Sequence, residues 1–182
     1  RTVKTPTFIA YAPSDIAEDK ILPWQQEFIE NFQKSLAPGN VTLANIILEP
    51  DDDNVLRTWP KVRPEVPERL FVAMLDKGNN PFKKYEGAIQ YVSPAFVERP
   101  AFGSIPIDTI AEDALFTSPE ATELFRQQIE GKYVLIGGHI QDIDLFETAL
   151  TGKEIWGVEI FAHMISQQLD GRVLSPVSNG VI

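Results

Sequence analysis

The sequence contains no cysteine among its 182 residues and only two histidines. The absence of cysteine excludes disulfide bonds, thiolate catalysis, zinc fingers and iron–sulfur clusters. It leaves the compartment open, because a chain without cysteine is compatible with both the cytoplasm and the periplasm. Nucleophilic catalysis would have to use serine, and the sequence has neither a GxSxG nor an SxxK motif. Classical hydrolase chemistry is therefore not expected.

Basic residues are also scarce. The chain has 16 Lys and Arg against 26 Asp and Glu, which gives a formal net charge of −10. This balance argues against nucleic acids and anionic lipid headgroups as partners, because both are bound through clustered Lys and Arg. No stretch reaches the roughly 18 apolar residues of a membrane span, and no signal peptide is recognisable. Because the chain begins at Arg1 without an initiator Met and stops abruptly at Ile182, we expect a soluble piece of a membrane protein.

Chain length and composition predict a single domain over residues 1–182, since 43% of the residues are hydrophobic. Apolar runs predict strands, and apolar residues spaced three and four apart predict helices. The predicted strands are 7–11, 41–48, 88–92 and 132–136, and the main predicted helices are 23–36, 68–77, 119–130 and 157–170. Because strands alternate with helices, the sequence predicts an α/β layered fold, with a mostly buried mixed or parallel sheet flanked by helices.

The first predicted helix carries one apolar stripe. Its members are Trp24, Phe28, Ile29, Phe32 and Leu36. We expect the three tryptophans, Trp24, Trp59 and Trp156, to pack in the core.

Two short motifs invite a functional interpretation that their spacing does not support. Gly137-Gly138 follows a predicted strand but lacks the GxGxxG and GxxxxGK[ST] patterns that hold phosphate, so a tight turn is the better interpretation. Residues 51–53 are three consecutive aspartates without the spacing of a calcium-binding loop, which favours a solvated acidic loop. The HExxH metal motif is absent as well. The sequence predicts no cofactor.

The strongest candidate site combines carboxylates, a hydroxyl and both imidazoles. The charged and imidazole members are His139, Asp142, Asp144, Glu147, Glu159 and His163, and the candidate ligand site is the loop from His139 to Thr148 together with Glu159 and His163. Most of them follow a predicted strand end, where α/β folds commonly place ligand sites, and Glu159 and His163 share a helix face four residues apart. Such a cluster is suited to a divalent metal or to acid–base chemistry. The alternative is that His163 is a core histidine held by Glu159.

Several segments, in this order, resemble the second-type CHASE domain, a sensing module associated with cyclases and histidine kinases. Its pattern has a GKxVLIG strand, an Asp-containing loop that ends near Thr-Pro, a GVEIHAH segment and a helix that ends in LLxGR. The corresponding parts here are residues 131–137 (GKYVLIG), Asp144 with Thr148, residues 157–163 (GVEIFAH) and residues 169–172 (LDGR).

An earlier D-x-D-G-V-x-R signature of the family resembles residues 51–57 (DDDNVLR). The chain departs from the family pattern at three positions: Asn54 replaces Gly, Ala149 replaces Pro and Phe161 replaces the first His. The last departure weakens the expectation of a His-rich ligand site on this helix.

The resemblance implies a non-enzymatic extracytoplasmic sensor domain that lacks its N-terminal strand–helix portion and its flanking membrane spans. In the full-length protein we expect a membrane anchor, a possible homodimer and an output domain such as a cyclase or histidine kinase. The signal would be an unknown small molecule or protein. A metal-dependent enzyme, suggested by the carboxylate and histidine cluster, and a free periplasmic solute-binding protein, suggested by acidity and strand–helix alternation, are the alternatives.

Overall fold

The computed structural model describes residues 4–16, 21–36, 39–75, 78–93, 101–111, 118–138, 144–150 and 154–174. Within these ranges, no helix is long and apolar enough to cross a membrane. The N-terminal part is a strand–helix–strand unit made of β1 (Thr7–Tyr11), α1 (Pro23–Leu36) and β2 (Val41–Asn45). The two strands pair in parallel, which requires a crossover connection such as α1.

The start of α1 and the end of β2 are each determined by neighbouring residues. α1 covers the predicted range and begins at Pro23, where a missing backbone N–H costs nothing. β2 is shorter than the predicted strand 41–48. It stops at Asn45, whose side-chain oxygen accepts a hydrogen bond from the Ile47 amide at 2.9 Å and turns the chain.

A second sheet contains β3 (Val55–Leu56), β4 (Leu145–Thr148) and β5 (Glu154–Trp156), in that order. β3 and β4 are parallel, whereas β4 and β5 are antiparallel. This mixture of helices with parallel and antiparallel strands confirms the α/β class. The described strands form two small sheets, however, where the sequence suggested one.

The other helical segments are α2 (Leu70–Ala73), a 3₁₀ turn (Pro81–Lys84), α3 (Ile107–Ala111), α4 (Pro119–Ile129) and α5 (Gly157–Leu169). The Ser118 hydroxyl caps the start of α4, because it accepts a hydrogen bond from the Ala121 amide. Gly131 and Gly171 follow α4 and α5, and both have positive φ angles that suit the end of a helix. α2 is shorter than the predicted helix 68–77, of which residues 76 and 77 lie outside the described ranges.

The core lies between α5 and the segment from β3 to the 3₁₀ turn. Ile160 and Met164 of α5 are completely buried, and Phe71 of α2 is 1% exposed. The Trp59 ring packs edge-on against Phe71, with ring centroids 4.8 Å apart. Burying each such side chain contributes about 1.5–3 kcal/mol, so this cluster is a substantial source of stability.

Two predicted strands do not form. Residues 132–136 belong to no strand, and Ile136 is 82% exposed, although this run has the strongest strand composition in the chain. A strand needs a partner as well as composition, and β4 already has β3 and β5 on its two edges. Residues 88–92 form only an isolated bridge, in which Ala88 pairs with Thr58.

The apolar stripe of α1 faces outward, which contradicts the expectation of core packing for Trp24. All fourteen residues of α1 are described and none is buried. Its inner face is polar: Glu30 accepts a hydrogen bond from the Tyr11 hydroxyl at 3.0 Å, and Gln33 donates to the Val41 carbonyl at 3.0 Å. These hydrogen bonds fix the rotation of the helix and leave the aromatic residues on the opposite side.

Candidate functional site

His163 is a core residue of α5. Its side chain is 5% exposed, and its ring packs against Tyr91 and Phe102. The Val92 amide donates a hydrogen bond to His163 Nδ1 at 3.0 Å. Burial lowers the pKa of His163 to about 4, so the imidazole is neutral near pH 7.

Glu159 lies one turn before His163 on the same helix, but its side chain is exposed whereas His163 is buried. Burial is the cause of the lowered pKa of His163, and the hydrogen bond to its ring comes from the main chain of Val92. His163 is thus a core histidine, as the structural alternative predicted, but the group that holds it is Val92 and not Glu159.

Asp144 is positioned by the start of α5. Its carbonyl accepts a hydrogen bond from the Gly157 amide at 2.9 Å. Its carboxylate lies so close to Gly157 that a Cβ atom there would overlap the Asp144 Oδ1 atom. A side chain at position 157 would therefore displace the Asp144 carboxylate, which suits the positive end of the helix dipole where it lies.

The structure thus brings Asp144 and Glu159 to the first turn of α5 and places His163 one turn further along, in the core. Thr148 is 1% exposed in β4, where it pairs with Leu56. The expected loop from residue 139 to 148 is a strand in its last four residues. The predictions for His139 and Asp142 lie outside the described residues. Among the residues that are described, no group of three or more His, Asp or Glu is arranged to hold a metal ion.

Residues 51–54 form a turn just before β3, and ion pairs with Arg57 close it. The Arg57 guanidinium binds both carboxylate oxygens of Asp53 at 2.7 Å and one of Asp51 at 2.9 Å. The hydrogen bonds from Arg57 lower the pKa of Asp53 to about 2. Asn54 has a φ of 63°, a left-handed conformation that glycine adopts freely and asparagine tolerates. The resembled D-x-D-G-V-x-R signature therefore describes a structural turn, and Asn54 substitutes for its glycine without loss of the turn.

A surface cavity of about 620 Å³ opens beside this turn. It is lined by Glu49, Pro50, Asp51, Asp52, Asp53, Arg57, Thr58, Trp59, Lys61 and Glu86. Its size falls within the range of small-molecule pockets, about 300–1,000 Å³. The lining combines carboxylates, two basic side chains and one aromatic ring, so polar and charged ligands suit it better than apolar ones.

Sequence reasoning missed a buried hydrogen-bond network between this cavity and the end of α5. Gln167 is fully buried, and its Oε1 accepts a hydrogen bond from Trp59 Nε1 at 2.9 Å. Its Nε2 donates to the Arg172 carbonyl at 2.9 Å. The Leu174 amide donates to the Tyr85 hydroxyl at 3.3 Å. The available signal was a pair of polar residues, His163 and Gln167, four apart on an otherwise apolar face of the helix.

Arg69 is a second residue that sequence reasoning missed. It is 2% exposed, and its guanidinium donates to four carbonyl oxygens, those of Pro60, Phe82, Lys83 and Tyr85, at distances from 2.7 to 3.0 Å. Burial lowers the pKa of this guanidinium. Through these hydrogen bonds, Arg69 connects Pro60, which lies between the cavity residues Trp59 and Lys61, to the 3₁₀ turn.

A family model described as the CHASE2 domain matches residues 6–181, nearly the whole chain. The chain belongs to the CHASE2 domain family. CHASE2 domains are extracytoplasmic sensory domains of signalling receptors and are not themselves catalytic. No curated protein and no solved structure matches this CHASE2 domain. The family assignment confirms the resemblance drawn from residues 131–137, 157–163 and 169–172.

Proposed function

We propose that this CHASE2 domain is the ligand-sensing part of a membrane-anchored receptor and transmits an external signal to a cytoplasmic output domain, such as a cyclase or histidine kinase. The observation that carries the proposal is the hydrogen-bonded connection from Trp59 through Gln167 to the Arg172 carbonyl. It joins the cavity to the segment that leaves α5. The cavity residue Trp59 and the backbone that follows α5 are thereby hydrogen-bonded to the same buried side-chain amide, that of Gln167.

The cavity beside Trp59 is the first candidate for ligand contact. It has the volume of a small-molecule site and offers carboxylates, Arg57, Lys61 and the Thr58 hydroxyl for orientation. Arg57 is already paired with Asp51 and Asp53, so Lys61 is the basic group best placed to meet an incoming anion.

The network supplies a physical route for transmission. A ligand that shifts the Trp59 ring removes a hydrogen bond to Gln167 Oε1, and a buried polar atom without a partner costs about 1–3 kcal/mol. Gln167 relieves that cost by rearranging, which alters its hydrogen bond to Arg172. The ligand can shift the equilibrium only by its difference in affinity for the two arrangements.

The group predicted from sequence is the second candidate for ligand contact. Asp144 contacts Gly157 at the start of α5, and Glu159 is exposed in the first turn of the same helix, whereas Thr148 and His163 are buried. His139 and Asp142 complete the proposal from the sequence. Carboxylates at this turn favour a cationic ligand, in contrast to the mixed charge of the cavity.

A thermal-shift screen of the 182-residue chain against metals, small acids, sugars and nucleotides tests both candidates, because a specific ligand stabilises the folded state. Each ligand found is then measured on Lys61→Ala and Asp144→Asn, with Lys132→Ala as an exposed control outside the cavity. Loss of the shift in Lys61→Ala alone assigns the cavity, and loss in Asp144→Asn alone assigns the second candidate. A stoichiometric, tightly held transition metal would instead favour the metal-dependent enzyme.

Hydrogen exchange tests transmission separately. With ligand bound, we expect the exchange rate of the Leu174 amide, which donates to Tyr85, to change severalfold. The Ala121 amide at the start of α4 is the internal control and should not respond. A ligand that stabilises the domain but leaves Leu174 exchange unchanged would contradict the route through Gln167.

A further inference from the structure

We propose that α1 is a homodimer interface, and that its outward aromatic ridge packs against the same ridge of a second copy, antiparallel across a two-fold axis. The ridge consists of Trp24, Phe28 and Phe32, spaced four residues apart along one side of the helix. Their exposed fractions are 63%, 61% and 46%. This inference does not depend on either candidate ligand site.

The ridge cannot be buried within its own chain by a rotation of α1. Besides the bonds of Glu30 and Gln33 already described, Gln26 on the inner face accepts hydrogen bonds from the Ser14 amide and hydroxyl at 2.8 and 3.0 Å. Turning the aromatic side inward would break all of these bonds. The outward orientation is therefore the one the polar residues select.

The exposed ring area is close to the apolar share of a small dimer interface. Aromatic side chains present about 150–250 Å² each, so the exposed fractions leave roughly 350 Å² of ring surface per copy. Two ridges supply about 700 Å², a little over half of the roughly 1,200 Å² at the lower end of stable interfaces. Specific interfaces are about 57% apolar, so the polar flanks of α1 complete the expected area in the expected proportion.

Charge complementarity favours a second copy over other partners. Glu27 and Lys34 are seven residues apart and therefore lie on nearly the same flank of the helix, about 10 Å from each other along its axis. In an antiparallel pair centred near Glu30, Glu27 of one copy faces Lys34 of the other, twice by symmetry, while Phe28 meets Phe32. The net charge of −10 disfavours an anionic membrane as the occupant.

Two rings of the ridge lie side by side. The Phe28 and Phe32 rings are nearly parallel, with an interplanar angle of 2° and centroids 6.4 Å apart. Central aromatic residues of this kind usually dominate the binding energy of an interface.

Sedimentation equilibrium of the 182-residue chain over micromolar concentrations tests the proposal. We expect a reversible monomer–dimer equilibrium. In Phe28→Glu the dissociation constant of the dimer should be at least about 30-fold larger than in the wild type. Leu124→Glu on α4 is the matched control, because Leu124 is also 61% exposed. The dissociation constant of this variant should equal that of the wild type. Far-UV circular dichroism should show that both variants remain folded, since neither side chain is buried.

A charge exchange tests the antiparallel arrangement. Glu27→Lys and Lys34→Glu should each weaken the dimer, and the double variant should restore it. A chain that stays monomeric throughout, including one that binds lipid vesicles through α1, would overturn the proposal. A dimer whose dissociation constant is the same in Phe28→Glu as in the wild type would also overturn the proposal.

Discussion

Acidification should destabilise this domain through His163, whose imidazole is buried. The pKa of His163 is about 4 in the folded state and about 6.5 in an unfolded chain. Between those values the unfolded chain binds more protons than the folded one, so stability is lost as pH falls. The linkage relation gives a loss of about 2 kcal/mol from pH 7 to pH 5 and about 3 kcal/mol by pH 4.

The matched control is His163→Asn. The amide oxygen of asparagine can replace Nδ1 as the acceptor for the Val92 amide, but it does not titrate. Urea unfolding monitored by tryptophan fluorescence gives the free energy of unfolding of both proteins at pH 7, 6 and 5. The wild type should lose about 2 kcal/mol more than the variant across this interval, because contributions from all other groups cancel. Parallel curves for the two proteins would refute the reasoning.

Three further substitutions test individual contacts. Gln167→Leu should cost about 3 kcal/mol in urea unfolding, because it leaves two N–H groups without their acceptor, whereas Gln128→Leu on the exposed face of α4 should cost less than about 0.5 kcal/mol. Asn54→Gly should melt within a degree or two of wild type, while Asn54→Ala should lose about 1 kcal/mol, since alanine resists a positive φ. Gly157→Ala should destabilise by about 1–3 kcal/mol and recover in a double variant with Asp144→Ala, and additive losses would contradict the described overlap.

The elements predicted well from sequence are those with local causes. α1 and α4 begin at Pro23 and Pro119 as predicted, because proline at the first position of a helix and the Ser118 cap are local features of a few neighbouring residues. The strand predicted at 132–136 fails because strand formation depends on a distant partner. β3 has only two residues, which are too few to show the periodic pattern by which a strand is predicted.

The candidate site could be predicted only in part, because helix spacing is local whereas burial and hydrogen-bond partners depend on the tertiary fold. The spacing of Glu159 and His163 correctly places both on α5, but it does not reveal that one is exposed and the other buried. The partner of His163 is a backbone amide, and backbone groups carry no sequence signal. The same applies to Gln167 and Arg69, whose roles depend on carbonyls brought close by the tertiary fold.

The carbonyl contacts of Arg69 divide the domain into parts that respond differently to acid. A guanidinium stays charged at every accessible pH, and a carbonyl oxygen does not titrate, so the closure of residues 60–85 around Arg69 is insensitive to protons. The contact between α5 and Val92 depends on a neutral imidazole and is sensitive. In acid, therefore, protonation should weaken the contact between α5 and Val92 and leave the contacts between Arg69 and the carbonyls of residues 60–85 unchanged.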